Sequence, residues 1–155
     1  MPDEYRRDDA GVTLRLRAAT LADEPFLLEL RGLTMTEHLV RAGEPVDAAT
    51  HYERMRFHFD DAQIISCGDA DVGLLKLSKP ATDWYLYQIQ ILPSHQRKGL
   101  GAQIIRAALA EAREADATIT LHVQRGNPAR RLYENLGFRV ISESDIDFVM
   151  KSSAV

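Results

Sequence analysis

Residues 89–102 read IQILPSHQRKGLGA and determine how the rest of the chain is interpreted. An apolar run typical of a strand ends at Pro93, a basic loop with two glycines follows, and apolar residues typical of a helix begin at Leu100. A strand, a tight loop and a helix in this order gather several backbone N–H groups and a helix N-terminus around one point. The segment therefore predicts a site for a phosphate-bearing ligand.

Spacing excludes two other phosphate-binding loops. A Walker loop ends in Gly-Lys followed by Ser or Thr, and no such triplet occurs in the chain. A dinucleotide fingerprint requires Gly or Ala three residues after its second glycine, where Ile104 stands after Gly101. An ordinary strand-to-helix turn remains the alternative for a Gly-x-Gly loop considered alone.

A second segment, residues 127–138, reads NPARRLYENLGF. Asn127 is a favourable N-cap, Pro128 suits the first helical position, and Gly137 stands where a helix C-cap favours glycine. The segment predicts a helix from Pro128 to about Leu136 whose buried stripe is Ala129, Leu132 and Leu136, with Tyr133 at its edge. On this reading alone, Asn127 only caps the helix and Tyr133 only packs.

Together the two segments resemble the GCN5-related N-acetyltransferase (GNAT) superfamily. The pyrophosphate loop of that superfamily has the pattern Gln/Arg-x-x-Gly-x-Gly/Ala, which Gln96, Gly99 and Gly101 meet. Its later motif is matched by Asn127, Ala129, Tyr133, Gly137 and Phe138. The resemblance extends from Trp84 to Phe138.

The resemblance implies acetyl-CoA as co-substrate and assigns residues to it. Main-chain groups of Ile89, Gln90 and Ile91 would bind the pantetheine arm in the manner of an added strand. The pyrophosphate would be held by Gln96, Arg97, Lys98, Gly99, Leu100, Gly101 and Ala102, and Asn127 completes the cofactor-binding set. For the side chains of Arg97 and Lys98, a solvated basic pair is the alternative.

The resemblance also implies a catalytic role for Tyr133, as proton donor to the departing thiolate. Some members carry a glutamate five residues before the motif's asparagine, where this chain has His122, which could act as a base directly or through water. A partly exposed strand histidine is the alternative for His122. Gln88 and Gln90 stand where other members use a glutamate, and an amide cannot act as a base.

Acceptor specificity is expected in the connection from Arg31 to Pro45, with Thr34, Glu37 and His38 as candidate contacts; a solvated loop is the alternative. No metal is expected, because His51 and His58 are seven residues apart rather than the four that place two ligands together on a helix.

Composition indicates a small globular protein. The chain has 155 residues, of which 45% are hydrophobic, so we expect a single domain over residues 12–151 after a flexible lead-in at 1–11. The net charge of −4 argues against general nucleic-acid binding. No apolar run approaches the roughly 20 residues of a membrane helix, and we expect a cytoplasmic protein.

The predicted order of elements is β-α-α-β-β-β-α-β-α-β-β, with the first helix ending near Gly32. It indicates an α/β (α+β) fold with a mixed, mostly antiparallel central sheet of six to seven strands flanked by helices, the order of the GNAT fold. We predict an acetyl-CoA-dependent N-acetyltransferase acting on a primary amine of a small molecule or peptide, with homodimerisation possible. The alternative is a CoA-binding sensor or regulatory module without turnover.

Overall fold

The computed structural model describes residues 4–7, 13–41, 43 and 47–153. Its strands are β1 Glu4–Arg7, β2 Thr13–Ala18, β3 Ala62–Cys67, β4 Ala70–Ser78, β5 Asp83–Ile91, β6 Thr118–Gln124, β7 Arg139–Glu143 and β8 Asp147–Lys151. Its helices are α1 Glu24–Arg41, α2 Ala48–Arg56, α3 Leu100–Glu114 and α4 Ala129–Asn135. The strand order is β1-β2-β3-β4-β5-β6-β8-β7. The predicted mixed sheet flanked by helices is confirmed.

The sheet has one strand more than the predicted maximum. Strand β1 lies within residues 1–11, which were expected to be a flexible lead-in, and it pairs antiparallel with β2. The pairs are Glu4 with Arg15, Arg6 with Leu14 and Arg7 with Thr13. The high charge of these residues predicted a flexible lead-in, but main-chain hydrogen bonding between strands does not depend on the character of the side chains.

Contacts along the chain divide the protein into two compact units, and the predicted single domain over residues 12–151 stays a prediction. The first unit is Met1–Lys76 with Gln88–Gly101. Its strands β2, β3 and β4 pair antiparallel in sequence. Its core joins the helices to the sheet through Leu27, Leu30, Met55, Ala62, Ile64 and Leu74.

The second unit is Leu77–Tyr87 with Ala102–Val155. In it the start of β5 pairs parallel with β6 over Asp83–Leu86, and β8 pairs antiparallel with both β6 and β7. Alternate residues of β6 are buried, namely Ile119, Leu121 and Val123, so the intervening residues project from the other face. Helix α3 contributes Ile104, Ile105, Ala108 and Ala112 to the buried side chains.

The expectation that the first helix ends at Gly32 is wrong, because α1 continues to Arg41. Glycine costs about 1 kcal/mol relative to alanine in a helix interior, which weakens a helix without ending it. Leu27 and Leu30 are almost fully buried on the preceding turns. Tertiary packing of this apolar stripe therefore holds the helix through the glycine.

Substitution Gly32→Ala should raise the free energy of unfolding by about 0.5–1 kcal/mol, because alanine is the better helix former. A Cβ added at Gly32 would meet nothing within 4 Å, so no clash offsets the gain. Urea unfolding of parent and variant measures the difference. A variant less stable than the parent would contradict the helical assignment at this position.

Thr20 and Asp23 form a capping box that opens a 3-10 turn, Leu21–Asp23, directly before helix α1. The Thr20 N–H donates to the Asp23 carboxylate at 2.8 Å, and the Arg17 guanidinium donates to both oxygens of that carboxylate, each at 2.8 Å. The bonds from Arg17 are the main reason that the pKa of Asp23 falls to about 2. This bidentate interaction between Arg17 and Asp23 links the end of β2 to the start of α1.

A buried lysine fixes the end of α2. Lys76 on β4 is fully buried, and its Nζ donates to the carbonyl oxygens of Arg54, Met55 and Phe57 at 3.2, 2.8 and 2.6 Å. Carbonyls at the end of a helix lack N–H donors within the helix, and the lysine supplies them. Burial, with a contribution from Arg31, lowers the pKa of Lys76 to about 8. The ammonium therefore remains the main form at neutral pH and caps the helix.

Candidate functional site

The predicted pyrophosphate loop leaves β5 through a short 3-10 turn at Pro93–His95. The side-chain Nε2 of Gln96 then donates to the carbonyl oxygen of Ile91 at 2.9 Å, which anchors the loop to the end of β5. Two residues beyond this anchor have positive φ, Arg97 at 63° and Gly99 at 77°. Such left-handed residues turn successive N–H groups towards one side of a loop, an arrangement that binds anions.

Space in front of the loop is open. A Cβ placed on Gly99 or on Gly101 would meet no atom within 4 Å. Helix α3 begins at Leu100, so its first N–H groups lack acceptors within the helix. The side chains of Arg97 and Lys98 are exposed. The segment thus combines N–H donors, the positive end of a 15-residue helix and two exposed cations at one place.

The end of β5 that leads into this loop has features of a main-chain binding strand. The ladder with β6 covers Asp83–Leu86, whereas β5 continues to Ile91. A Cβ on Gly73 of β4 would collide with the carbonyl oxygen of Gln90, so glycine permits the close approach of these strands. The Nε2 of buried Gln90 and the Oε1 of Gln88 have no hydrogen-bond partner among the described residues. Because Gln90 is 6% exposed, its side chain does not face solvent.

Asn127 stands at the start of α4, as predicted from its capping preference. Its side-chain oxygen accepts the N–H of Ala129 at 2.9 Å, and its carbonyl oxygen accepts the N–H of Arg130 at 3.2 Å. Pro128 has helical dihedral angles, φ −63° and ψ −16°. The structure places Asn127 as a cap, and the assigned cofactor role for it stays a prediction.

Tyr133 is the buried residue of α4 rather than a residue at the edge of its stripe. The side chain is 9% exposed, whereas Ala129, Leu132 and Leu136 are only partly buried. The hydrogen bonds that end the helix account for this burial of Tyr133. The Phe138 N–H donates to the Tyr133 carbonyl at 3.0 Å and the Gly137 N–H to the Glu134 carbonyl at 3.1 Å, with Gly137 at φ 99°.

This pair of bonds is a Schellman motif, and its apolar contact is the one between the rings of Phe138 and Tyr133. Their centroids lie 5.7 Å apart in an edge-to-face arrangement. The motif therefore fixes the position of the tyrosine ring. Burial raises the pKa of Tyr133 above its usual value, so the phenol keeps its proton at neutral pH.

His122 projects from β6 opposite to the buried pair Leu121 and Val123, and half of its side chain is exposed. Its Nδ1 lies 3.1 Å from Oδ2 of Asp147 on β8, and its ring centroid lies 5.8 Å from that of Tyr85 on β5. The hydrogen bond to His122 is the main cause that lowers the pKa of Asp147. An ionised carboxylate on Nδ1 favours the neutral tautomer whose Nε2 is a free acceptor.

The predicted acceptor contacts are only partly within the described structure. Thr34 lies on α1, and its hydroxyl donates to the Leu30 carbonyl at 2.8 Å. The side chains of Glu37 and His38 lie outside the described residues, although their backbone belongs to α1. A long helix thus replaces the expected loop or short helix over this segment up to Arg41.

Each unit brings together part of the predicted site. The first unit holds the end of β5 and the glycine loop, and the second holds Asn127, Tyr133 and His122. Sequence analysis missed Asp147, Tyr85 and Tyr87. The alternation of Tyr85 and Tyr87 along one strand was a usable signal for a shared face. Nothing in the sequence marks Asp147 as the partner of His122, because strand pairing alone brings them together.

Two further features of the described residues concern metal binding and membrane spanning. In that part of the chain, no three His, Cys, Asp or Glu side chains are grouped so as to hold a metal ion. No helix there is both long enough and apolar enough to cross a membrane.

Comparison with known proteins supports the fold. Residues 77–146 match the family model described as FR47-like protein. The PaiA N-acetyltransferase of Thermoplasma acidophilum, solved with coenzyme A, is 17% identical with a TM-score of 0.71, covering 90% of this chain and 98% of its own. An acetyltransferase of Thermus thermophilus is 23% identical with a TM-score of 0.71, covering 89% of this chain and 95% of its own.

A GNAT-family acetyltransferase of Listeria monocytogenes is 16% identical with a TM-score of 0.69, covering 96% of this chain and 98% of its own. A search of curated protein sequences finds no significant match. The resemblance to the GNAT superfamily is confirmed, and the protein has the GNAT acetyltransferase fold.

Proposed function

We propose that this protein transfers an acetyl group from acetyl-CoA to a primary amine of a small molecule or peptide, by direct attack in a ternary complex. The observation that carries the proposal is the glycine loop before α3. Its two positive-φ residues and the empty space at Gly99 and Gly101 suit a pyrophosphate. Each N–H donated to a charged oxygen contributes about 1.5–3 kcal/mol. Ile89, Gln90 and Ile91 would hold the pantetheine arm through main-chain groups.

The chemistry requires three proton movements: the ammonium loses a proton before attack, the nitrogen loses a second one as the amide forms, and the thiolate gains one. The neutral amine nitrogen attacks the thioester carbonyl carbon, the C–S bond breaks as the tetrahedral intermediate collapses, the nitrogen releases its second proton to solvent, and the sulfur leaves as a thiolate. Tyr133, which burial keeps protonated, would donate its O–H to that sulfur. Because a phenol is a weaker acid than a thiol, its contribution is a hydrogen bond to the sulfur in the transition state, and the released thiolate then takes its proton from solvent.

The attacking amine must lose its proton first. A lysine-like amine is neutral at pH 7 in only about one molecule in 10³, which costs about 4–5 kcal/mol. His122 would accept this proton on Nε2, because Asp147 holds Nδ1–H at 3.1 Å. The half-exposed ring has access to an incoming amine or to a bridging water.

Thiol release from acetyl-CoA, measured against polyamines, amino acids, aminoglycosides and short peptides, tests the proposal. Release that depends on an amine supports an N-acetyltransferase. Tight acetyl-CoA binding without release for any amine or peptide would instead favour a CoA-binding module.

His122→Gln should lower kcat about 10- to 100-fold at pH 7, as loss of a general base does. The difference in kcat between parent and variant should become smaller as pH rises towards 10, because most of the amine is then already neutral in solution. A pH profile of kcat for parent and variant measures this.

His58→Gln is the matched control, since His58 also bonds a carboxylate through Nδ1 at 3.1 Å, to Asp61 in the other unit. If kcat of His122→Gln were lowered by the same factor at every pH, or if both variants lost kcat equally, the role of His122 as base would be contradicted.

A further inference from the structure

One face of the second unit carries an uninterrupted row of aromatic and polar side chains. Tyr85 and Tyr87 alternate along β5, with ring centroids 4.5 Å apart. The His122 ring on β6 lies 5.8 Å from Tyr85, and the Asp147 carboxylate on β8 lies 3.1 Å from His122. We call these four residues the tyrosine–aspartate face.

Strand register places the row on the side of the sheet away from the core. Leu86 pairs with Leu121, and His122 pairs with Val149 on β8. Buried and accessible residues alternate along β5 and β6. Leu86 and Leu121 lie on the buried side, so their neighbours Tyr85, Tyr87 and His122 share the accessible side. Both tyrosines are partly buried and His122 is exposed. The face is therefore a shallow aromatic surface open to a ligand.

Charge on this face favours a cation. Asp147 is ionised at neutral pH, since its hydrogen bonds to His122 and Ser144 lower its pKa. The Ser144 hydroxyl donates to Oδ1 at 2.9 Å, which leaves lone pairs on both carboxylate oxygens. Aromatic ring faces also attract cations, because the ring quadrupole places negative potential over each face.

The charge of Arg125 also acts on Asp147 and lowers its pKa, but other partners hold the Arg125 guanidinium. The Arg125 Nε donates to the Ser144 carbonyl at 2.7 Å, and its guanidinium lies 4.3 Å from the ring centroid of Phe148, a residue of the buried side. Lys151 pairs in register with Thr120, at the opposite end of β8 from Asp147. The titratable groups on the accessible side of β5, β6 and β8 are Asp83, Tyr85, Tyr87, His122, Asp147 and Lys151.

We infer that the tyrosine–aspartate face binds the acceptor, and that the acceptor is a cationic primary amine without a carboxylate next to the reacting amine. The ammonium group would lie over the tyrosine rings within reach of Asp147, and would pass its proton to Nε2 of His122 before attack. A carboxylate on the same carbon would approach Asp147 and be repelled. This inference rests on the proposed function, because it assigns the acceptor of that reaction.

The test uses two pairs of amines that differ only by a carboxylate: phenethylamine with phenylalanine, and tyramine with tyrosine. For at least one pair, kcat/KM for the decarboxylated amine should exceed that for the amino acid about tenfold or more. Tyr85→Leu should raise KM for that amine about 3- to 30-fold with little change in kcat, as loss of a desolvated cation–aromatic contact predicts. Tyr85→Phe keeps the ring and should keep KM close to the parent value.

Asp147→Asn should reduce the preference for the decarboxylated amine, and it should lower kcat because His122 loses its anionic partner. Tyr52→Leu, on an exposed position of α2, is the control. Thermal melting of each variant separates misfolding from a change in acceptor binding.

Turnover that prefers the amino acids, or a peptide used in place of every free amine, would overturn the inference while leaving the proposed function intact. Unchanged KM in Tyr85→Leu would also overturn it. Absence of amine-dependent thiol release in the parent protein would instead contradict the proposed function itself.

Discussion

Tyr133→Phe is expected to lower kcat for acetyl transfer about 100-fold or more while changing the Kd for acetyl-CoA by less than about twofold. The substitution removes the hydroxyl that is proposed to donate to the departing sulfur. Loss of such a proton donor lowers the rate by about 10²–10⁴. The ring contact with Phe138 at 5.7 Å does not involve the hydroxyl, so the fold should persist. Steady-state kinetics with saturating amine and calorimetric titration of acetyl-CoA give the two quantities.

Tyr52→Phe is the matched control, because Tyr52 is 47% exposed on α2 and has no assigned role. It should retain the parent kcat. Equal turnover in Tyr133→Phe and the parent would mean that the sulfur leaves without help from this residue. In that case Tyr133 would serve only to pack the end of α4.

Gly99→Val should raise the Kd for acetyl-CoA about 10- to 100-fold. A β-branched side chain would fill the open space in front of the loop N–H groups and would also strain the backbone at φ 77°. Loss of one or two charge-assisted hydrogen bonds accounts for the magnitude. Calorimetric titration with acetyl-CoA and with desulfo-CoA, which keeps the pyrophosphate, measures the effect.

Two further variants separate occlusion from strain. Gly101→Val fills the open space from a helical position without positive φ, and it should also weaken acetyl-CoA binding. Gly68→Val strains a turn between β3 and β4 at φ 62°, and it should leave acetyl-CoA affinity unchanged. Parent affinity in both Gly99→Val and Gly101→Val would remove the pyrophosphate-loop proposal.

Sequence analysis identified the elements whose signals are local. The turn at Pro93 and the glycines after it predicted the strand, loop and helix that the structure contains. Asn127 and Gly137 predicted the two ends of α4 to within one residue. Capping residues and turn glycines act on the backbone beside them, so their effect can be read without knowing the rest of the fold.

Features that depend on distant partners could not be predicted. The helical course past Gly32 follows from packing of Leu27 and Leu30, which are almost fully buried. Asp147 became a partner of His122 only through the pairing of β8 with β6, across 25 residues of chain. A lysine in the middle of β4 also gave no sign that it would be fully buried beneath the end of α2.

The most direct test of acetyl transfer is the ratio of the two products formed from acetyl-CoA and one of the acceptors named above, a polyamine, an amino acid, an aminoglycoside or a short peptide. Mass spectrometry of the amine and a thiol assay on the same reaction measure acetylated amine and free CoA together. An N-acetyltransferase should form equal amounts of N-acetylated amine and free CoA, and neither product should form when the amine is omitted. Free CoA released at the same rate without any amine, or no CoA released with any acceptor, would contradict this function.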